Sequence, residues 1–400
     1  MSPPPIRLGV CGLGRAFSLM LPTFSRDHRF ELCAAASPGE PGRTAFCRDM
    51  GGNTYMTMEE LCQDETVDAI YIASPHQFHS QHVELAAAAG KHCLLEKPIA
   101  ISLEQSEQII SAVERSGIKL VVGPSHSFDA AVVKAKQLID SGEFGPVRQI
   151  HCVNYTDFLY RPRRPEELDT ARGGGVVFSQ GIHQIDIVRM LTGGLTQSVY
   201  AFTGNWDPAR STEGAYSALL HFPDHVFASL TYNGYGRYDS DELMQNISEL
   251  GFDKNPQNYG NTRRMLYEQT RQDESALKRQ RNIGFADTSL LQDKLPEHHE
   301  HFGMFVISCD KADLRLYPDE IEVYGDRKYT IDTLSSPAIP RQAVMTELYD
   351  AIVYDKPIQH SARWGHASLE VALGILESAE HMQSVAMHHQ VPFDSSPKPV

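Results

Sequence analysis

Among the 400 residues of this chain, a lysine, a histidine, a run of arginines and a pair of glycines have types and spacings that point to chemistry. Lys97 stands in "KHCLLEKP", at the carboxyl end of a buried-looking strand, which is where doubly wound sheets place their ligands; Pro98 then fixes the chain direction. A lysine accepts a hydroxyl proton when burial or nearby positive charge lowers its proton affinity towards neutrality. The competing reading is a surface lysine paired with Glu96. His183 follows the glycine run of "GGGVVFSQGIHQID" near a helix start, as a reactive residue or as a packed or capping one. Asp186, three residues on, shares its helix face and either orients the ring or pairs with Arg189. The stretch "YRPRRP" sets three arginines within four positions of a chain that carries 51 acidic against 36 basic residues and a net charge of −15. Arg161, Arg163 and Arg164 either pair with Glu166 and Glu167 in a solvated loop or hold the carboxylates of an anionic ligand by paired hydrogen bonds. Prolines at 162 and 165 help to aim the loop.

The elements that position these residues read differently in the two parts of the chain. Residues 1–124 alternate strand and helix: the apolar run from Ile6 to Val10, then "FELCAAAS", "DAIYIAS", "KHCLLEKP" and "IKLVVG" as strands, with "HSQHVELAAAAG" and "SLEQSEQIISAVERSG" as helices. The second helix opens on a Ser102/Gln105 capping pair and stops at Gly117. This alternation predicts a doubly wound parallel sheet, a Rossmann domain. Gly12-Leu13-Gly14-Arg15-Ala16-Phe17 lies where a dinucleotide-binding turn belongs, with Gly12 for the tight turn and Gly14 for backbone approach to a pyrophosphate at the helix N-terminus. A plain tight turn is the alternative. Phe17 stands where a third glycine is usual, so Ala16 or a displaced helix must supply the clearance. At the end of the second strand Ser37 takes the place of an acidic residue, and Arg43 follows. A serine does not repel a 2′-phosphate and an arginine binds one, so the cofactor is NAD or NADP.

From Val147 onward strand-like runs dominate and predict an α+β domain, 125–400, with a mostly antiparallel sheet covered on one face. "SQGIHQIDIVRMLTGG" is a helix ended by Gly193 and Gly194, and 363–385 a periodic helix packing back. A polar segment over about 236–300 is too poor in apolar residues for its own domain and reads as an inserted lid or oligomer contact. Its "EHHEH" at 297–301 reads as solvated loop, and no metal site is expected. The seven cysteines, without a C-x-x-C, predict neither a disulfide framework nor zinc. No apolar run reaches membrane-spanning length and no signal peptide is evident, so a cytoplasmic protein is expected. The acidic balance argues against nucleic acid as partner.

Four motifs in order, "GLGRAF", "ASPHQFH" at 73–79, "EKP" at 96–98 and "GGGVVFSQGIHQID" at 173–186, resemble the glucose-fructose oxidoreductase and inositol dehydrogenase (Gfo/Idh/MocA) family over nearly the whole chain. The resemblance implies a Rossmann domain followed by an open-faced sheet, and NAD(P)-dependent oxidation or reduction of a carbinol carbon. It implies Ser74, Pro75, His79, Glu96 and Lys97 as cofactor-binding residues beside the glycine turn. It also implies Lys97 as proton acceptor, His183 beside the reacting carbon, and Gln180 near the substrate. "NYTDFLYRPRRPEELDTARGGGVVFSQGIHQIDIVRML" and "HFGMFVISC" are similar to the phthalate cis-dihydrodiol dehydrogenase branch, which implies an anionic cyclic diol as substrate. Sugar or inositol dehydrogenases, and a non-catalytic dinucleotide sensor, are the alternatives. One departure is clear: the family pattern has aspartate four residues before the histidine, and here Ser179 stands there. An open-faced sheet needs covering, so a homodimer or homotetramer is expected.

Overall fold

The computed structural model describes residues 3–258, 260–268, 274, 275, 278, 295–336 and 339–393. It divides into two compact units, the first holding Met1–Pro124 and Ala338–Leu369, the second Ser125–Ser275, Pro296–Pro337 and Glu370–Val400. A single division at residue 124 therefore needs amending, because the chain returns to its first unit near the C-terminus.

In the first unit, β1 (Ile6–Cys11), β2 (Phe30–Ala36), β3 (Asn53–Tyr55), β4 (Ala69–Ile72), β5 (His92–Leu95) and β6 (Leu120–Val122) form a parallel sheet in the order β3-β2-β1-β4-β5-β6. The strands bury Leu8, Val10, Ile70, Tyr71, Leu94 and Val121 almost completely, as befits a sheet covered on both faces. Helices α1 (Arg15–Phe24), α2 (Glu40–Met50), α3 (Met58–Cys62), α4 (His79–Ala88) and α5 (Leu103–Ser116) make the connections. Ser102 caps α5 by accepting from the Gln105 backbone N–H at 3.2 Å, and Gly117 ends it at φ +72°. The strand order reverses between β1 and β4, so the crevice at their carboxyl ends is the place such a sheet offers a ligand. The returning segment supplies α9 (Gln342–Tyr354), which packs Tyr349 edge-on to Phe30, and the start of α10 (Ala362–His381), where Gly365 lets the helix sit against Ile99 and Val122.

The second unit is built on a sheet whose described strands run β14-β13-β12-β11-β7-β10-β9-β8-β15: β7 (Val147–Tyr155), β8 (Ser198–Gly204), β9 (Ala215–His221), β10 (Phe227–Asn233), β11 (Met304–Cys309), β12 (Ala312–Leu316), β13 (Glu320–Gly325), β14 (Tyr329–Thr333) and β15 (Val385–Ala386). Among these strands only β7 and β10 pair in parallel. Helices α6 (Ala130–Asp140) and α7 (Ile182–Thr192) lie on one face. The register places Tyr200, Phe202, Leu219, Ser229, His151, Val306, Arg315, Glu322 and Ile331 on the other.

Two expectations change. The C-terminal helix ends at His381, because Met382 adopts φ +55°, and Val385–Ala386 leaves it to pair with β8. The polar segment 236–300 is also no simple lid. Within it Met244 and Ile247 are buried and Ser240 bonds the Tyr155 N–H, so the stretch is anchored to the sheet before α8 (Asn261–Glu268) begins. Residues 259, 269–273, 276, 277 and 279–294 of this segment lie outside those described. In "EHHEH", His301 is buried and bonds the Ile247 carbonyl at 2.9 Å, whereas His298 pairs with Asp319; neither behaves as solvated loop.

Candidate functional site

At the β1/β4 reversal, Gly12 has φ +100° and a Cβ there would lie 2.6 Å from the Ala73 carbonyl oxygen, so only glycine fits the turn against the end of β4. Gly14 precedes α1 as its N-cap, with open space where its Cβ would be, no side-chain cap and no acidic residue in the first turn. Such a helix end fits a dinucleotide pyrophosphate. Leu13 and Ala16 are half-buried and Arg15 exposed. Phe17 is different: its ring is fully buried against Phe24 and Phe46, so it serves the core and can offer a ligand only backbone.

Ser37 follows the last residue of β2, and its carbonyl accepts from Arg43 Nη1 at 2.5 Å, which draws that guanidinium to the strand end. Ser74 Oγ lies 2.9 Å from His82 Nδ1. His79 departs from a cofactor ligand: it is wholly buried, with Nδ1 2.9 Å from the Pro98 carbonyl and Nε2 3.0 Å from the Ser74 carbonyl. Burial pushes its imidazole down to about 4. It ties the loop after β4, with Ser74 and Pro75, to the loop after β5, with Lys97. Glu96 is buried and accepts from the Tyr71 hydroxyl at 2.5 Å; burial raises its carboxyl against the pull of Lys97 and Tyr71. Lys97 is half-buried at the end of the same sheet.

In the second unit a buried polar cluster gathers around His183. Its ring lies 4.7 Å from His126, edge-on, and 4.8 Å from Phe302. Gln180, one helical turn earlier, accepts from the Tyr232 hydroxyl at 3.1 Å, and Tyr232 also meets Thr156 at 2.7 Å. Glu213 steadies the glycine turn before α7 by accepting from the Val177 N–H at 3.1 Å and from Thr170 and Thr212. Asp186 accepts from Ser127 Oγ at 2.5 Å, while Arg189 reaches Gln390 at 2.9 Å and the Gly194 carbonyl at 3.2 Å.

The three arginines separate. Arg161 is bound to Asp157 at 2.9 Å, and burial, which lowers its proton affinity, is outweighed by Asp157 and Glu249. Arg164, whose side chain is open to solvent to a similar degree, pairs with Glu166 at 3.1 Å and Glu167 at 3.5 Å. Arg163 is nearly buried, stacked 3.6 Å from the Phe158 ring and donating to the Phe158 carbonyl at 2.6 Å. Among the described residues its side chain's carboxylate partner is Glu167, at 3.7 Å. Burial, only partly offset by Glu167, pushes its guanidinium down to about 10. It is a buried cation with weak compensation.

Sequence reasoning missed His126, Asp129, Glu249 and Tyr232. His126 Nδ1 lies 2.7 Å from Asp129 and Nε2 3.6 Å from Glu249. Burial opposes charge on this imidazole, but the two carboxylates raise it to about 10; Glu249, despite burial, is drawn down to about 2 by His126 and Arg161. A histidine beyond the last parallel strand with aspartate at i+3 was a usable signal. Glu249, in a polar stretch, carried none.

The comparisons with known proteins agree with this architecture. Residues 6–124 match a family profile described as "Oxidoreductase family, NAD-binding Rossmann fold", and residues 132–247 match the "GFO/IDH/MocA C-terminal domain". The chain is 44% identical over 383 residues, 94% of its length and 95% of the relative's, to 1-carboxy-3-chloro-3,4-dihydroxycyclohexa-1,5-diene dehydrogenase of Comamonas testosteroni. A crystal structure of a dehydrogenase from Bordetella bronchiseptica RB50 superposes with a TM-score of 0.90 at 40% identity, covering 96% of this chain and all of that one. Levoglucosan dehydrogenase, in complex with NADH and levoglucosan, shares the fold at a TM-score of 0.71 and 18% identity, over 96% of this chain and 99% of its own. No helix among the described residues is long and apolar enough to cross a membrane. With a glycine turn and parallel sheet that fit a nicotinamide dinucleotide, and a relative matched over nearly its full length, this chain belongs to the Gfo/Idh/MocA family of NAD-binding oxidoreductases.

Proposed function

We propose that the protein oxidises a carboxylated cyclic cis-diol, of the phthalate dihydrodiol type, to the corresponding catechol. The observation that carries this reading is the relative, similar across nearly the whole chain, whose name describes a carboxylated dihydroxycyclohexadiene as substrate. Arg163 supports it: a buried, weakly compensated guanidinium is suited to a substrate carboxylate, which would restore its charge balance and offer two acceptor oxygens. The bound dinucleotide supplies the hydride acceptor. Lys97 takes the hydroxyl proton while the carbinol carbon gives up its hydride, and His183 hydrogen-bonds that hydroxyl oxygen. The resulting hydroxy-ketone tautomerises to an aromatic ring, which draws the reaction forward.

At the end of β2 a serine and an arginine leave room for a 2′-phosphate, so NADP is accepted alongside NAD. The open face of the second unit's sheet, with Phe202, Leu219 and Phe227 exposed, is covered by a second copy in a homodimer or homotetramer. Purified protein should reduce NAD or NADP with 4,5-dihydro-4,5-dihydroxyphthalate or a monocarboxylated analogue. Lys97→Ala should abolish this turnover and still bind NADH. Turnover confined to neutral sugars or inositols would overturn the substrate assignment.

A further inference from the structure

Ser179 stands four residues before His183, in the helical turn Val177–Gly181 that leads into α7, where a carboxylate could have oriented the ring; here the guidance comes from another element. The backbone N–H of His126 donates to His183 Nδ1 at 3.4 Å, and Ser125 Oγ lies 3.5 Å from the same atom. The His126 side chain is clamped in turn, Nδ1 to Asp129 at 2.7 Å and Nε2 towards Glu249 at 3.6 Å, with its ring edge-on to His183 and also packed 4.7 Å from Phe302. We propose that His126, held between Asp129 and Glu249, is a positioning residue that decides which nitrogen of His183 carries the proton. This inference rests on the assignment of His183 to the substrate hydroxyl.

A backbone N–H cannot surrender its proton, so the atom that accepts from it must present a lone pair; Nδ1 is thereby the unprotonated nitrogen and Nε2 holds the N–H. His183 then acts as a hydrogen-bond donor to substrate oxygen, and the proton of the hydroxyl is left for Lys97. The shift of His126 to about 10 supports the same picture, because an imidazolium beside His183 disfavours a second positive charge there. Among the described residues, charged groups stand around this pair on several elements. Asp186 lies on α7, Asp129 at the start of α6, Glu249 in the 240s stretch, Glu300 and His301 before β11, and Arg161 beyond Glu249. Asp129, His126, Glu249, Arg161 and Asp157 form an alternating series in which each charge is matched by the next. Arg161 is thus committed to this series, which separates its role from that of Arg163.

The test is NMR of the full chain labelled with 15N-histidine, with signals assigned through His126→Gln and His183→Asn. In the wild type, His126 should show two protonated nitrogens and His183 one proton, on Nε2, from about pH 6 to 9. In His126→Gln, which keeps the backbone N–H but removes the ring charge, His183 should gain a titration with a midpoint shifted towards the ordinary ~6.5. Asp129→Asn should release the same titration and serves if His126→Gln fails to fold. A wild-type His183 protonated on Nδ1, a neutral His126 at pH 7, or an unchanged His183 in both variants overturns the proposal. These signals need no substrate, so failure of the diol assay leaves them untouched and their failure leaves the diol assay untouched.

Discussion

Arg163 and Arg164 are adjacent in sequence and opposite in situation, so they make a matched pair of substitutions. The first is stacked on Phe158 and nearly buried, its guanidinium 3.7 Å from the Glu167 carboxylate; the second shares Glu166 and Glu167 at the surface. A carboxylate bound by Arg163 would lose charge-assisted hydrogen bonds on Arg163→Met, raising KM for the carboxylated diol by about 10-fold or more, with kcat changed much less. Arg164→Ala should leave both constants within about 2-fold, as exposed ion pairs contribute little. Steady-state kinetics on both variants decide the matter, and equal effects would remove Arg163 from the site.

At the scale of elements, two glycines that look alike in sequence have opposite duties. Gly175, in the turn before the helix of His183, has φ +86°, and a Cβ there would overlap the buried Glu213 carboxylate that accepts from the Val177 N–H. Gly175→Ala should destabilise the protein by about 2 kcal/mol or more, read as a lower urea midpoint. Gly14 has an ordinary φ of −102° and nothing within 4 Å of the point where a Cβ would stand. Gly14→Ala should therefore keep the wild-type urea midpoint and weaken NADH binding, measured by fluorescence titration, because the methyl group would enter the space where the pyrophosphate approaches α1. His79 acts at the same scale, since its two ring nitrogens join the loops that carry Ser74 and Lys97.

For the whole molecule, the His126 and Glu249 pair sets a pH signature. His126 holds its proton more tightly when folded, up to about 10 from 6.5, so its contribution is complete below 6.5 and is lost as pH rises through about 10. Glu249 is drawn down to about 2 from 4.5, so its contribution is present above 4.5 and is lost as pH falls through about 2. Both are fully present between 4.5 and 6.5. Tm should therefore decline from neutral pH towards about 10, and His126→Gln should flatten that decline while lowering Tm near about pH 6. The exposed Leu219, 54% accessible on β9 in the open sheet face, gives the test of assembly: Leu219→Glu should shift the mass by light scattering to that of a monomer.

Local patterning was enough to define the alternation of parallel strands and helices, the glycine turn after β1, the Ser102 cap and the covered and open faces of β10, because each depends on residues close in the chain. The motifs around Gly12, Lys97 and His183 were legible for the same reason. The rest was decided by tertiary structure. Phe17 reads as part of a binding turn until its ring is seen in the core, and His79 as a ligand until both its nitrogens are found on carbonyls. The arginine cluster shows three equal charges in sequence; burial and the placement of Asp157, Glu249, Glu166 and Glu167 make them unequal. Glu249 sits in a polar stretch with no local sign of importance, yet in the fold it faces His126 and is held ionised there. A residue's type and its neighbours in sequence determine what it can do. Its electrostatic state depends on desolvation and on charges brought from distant segments, and those exist only once the chain has folded.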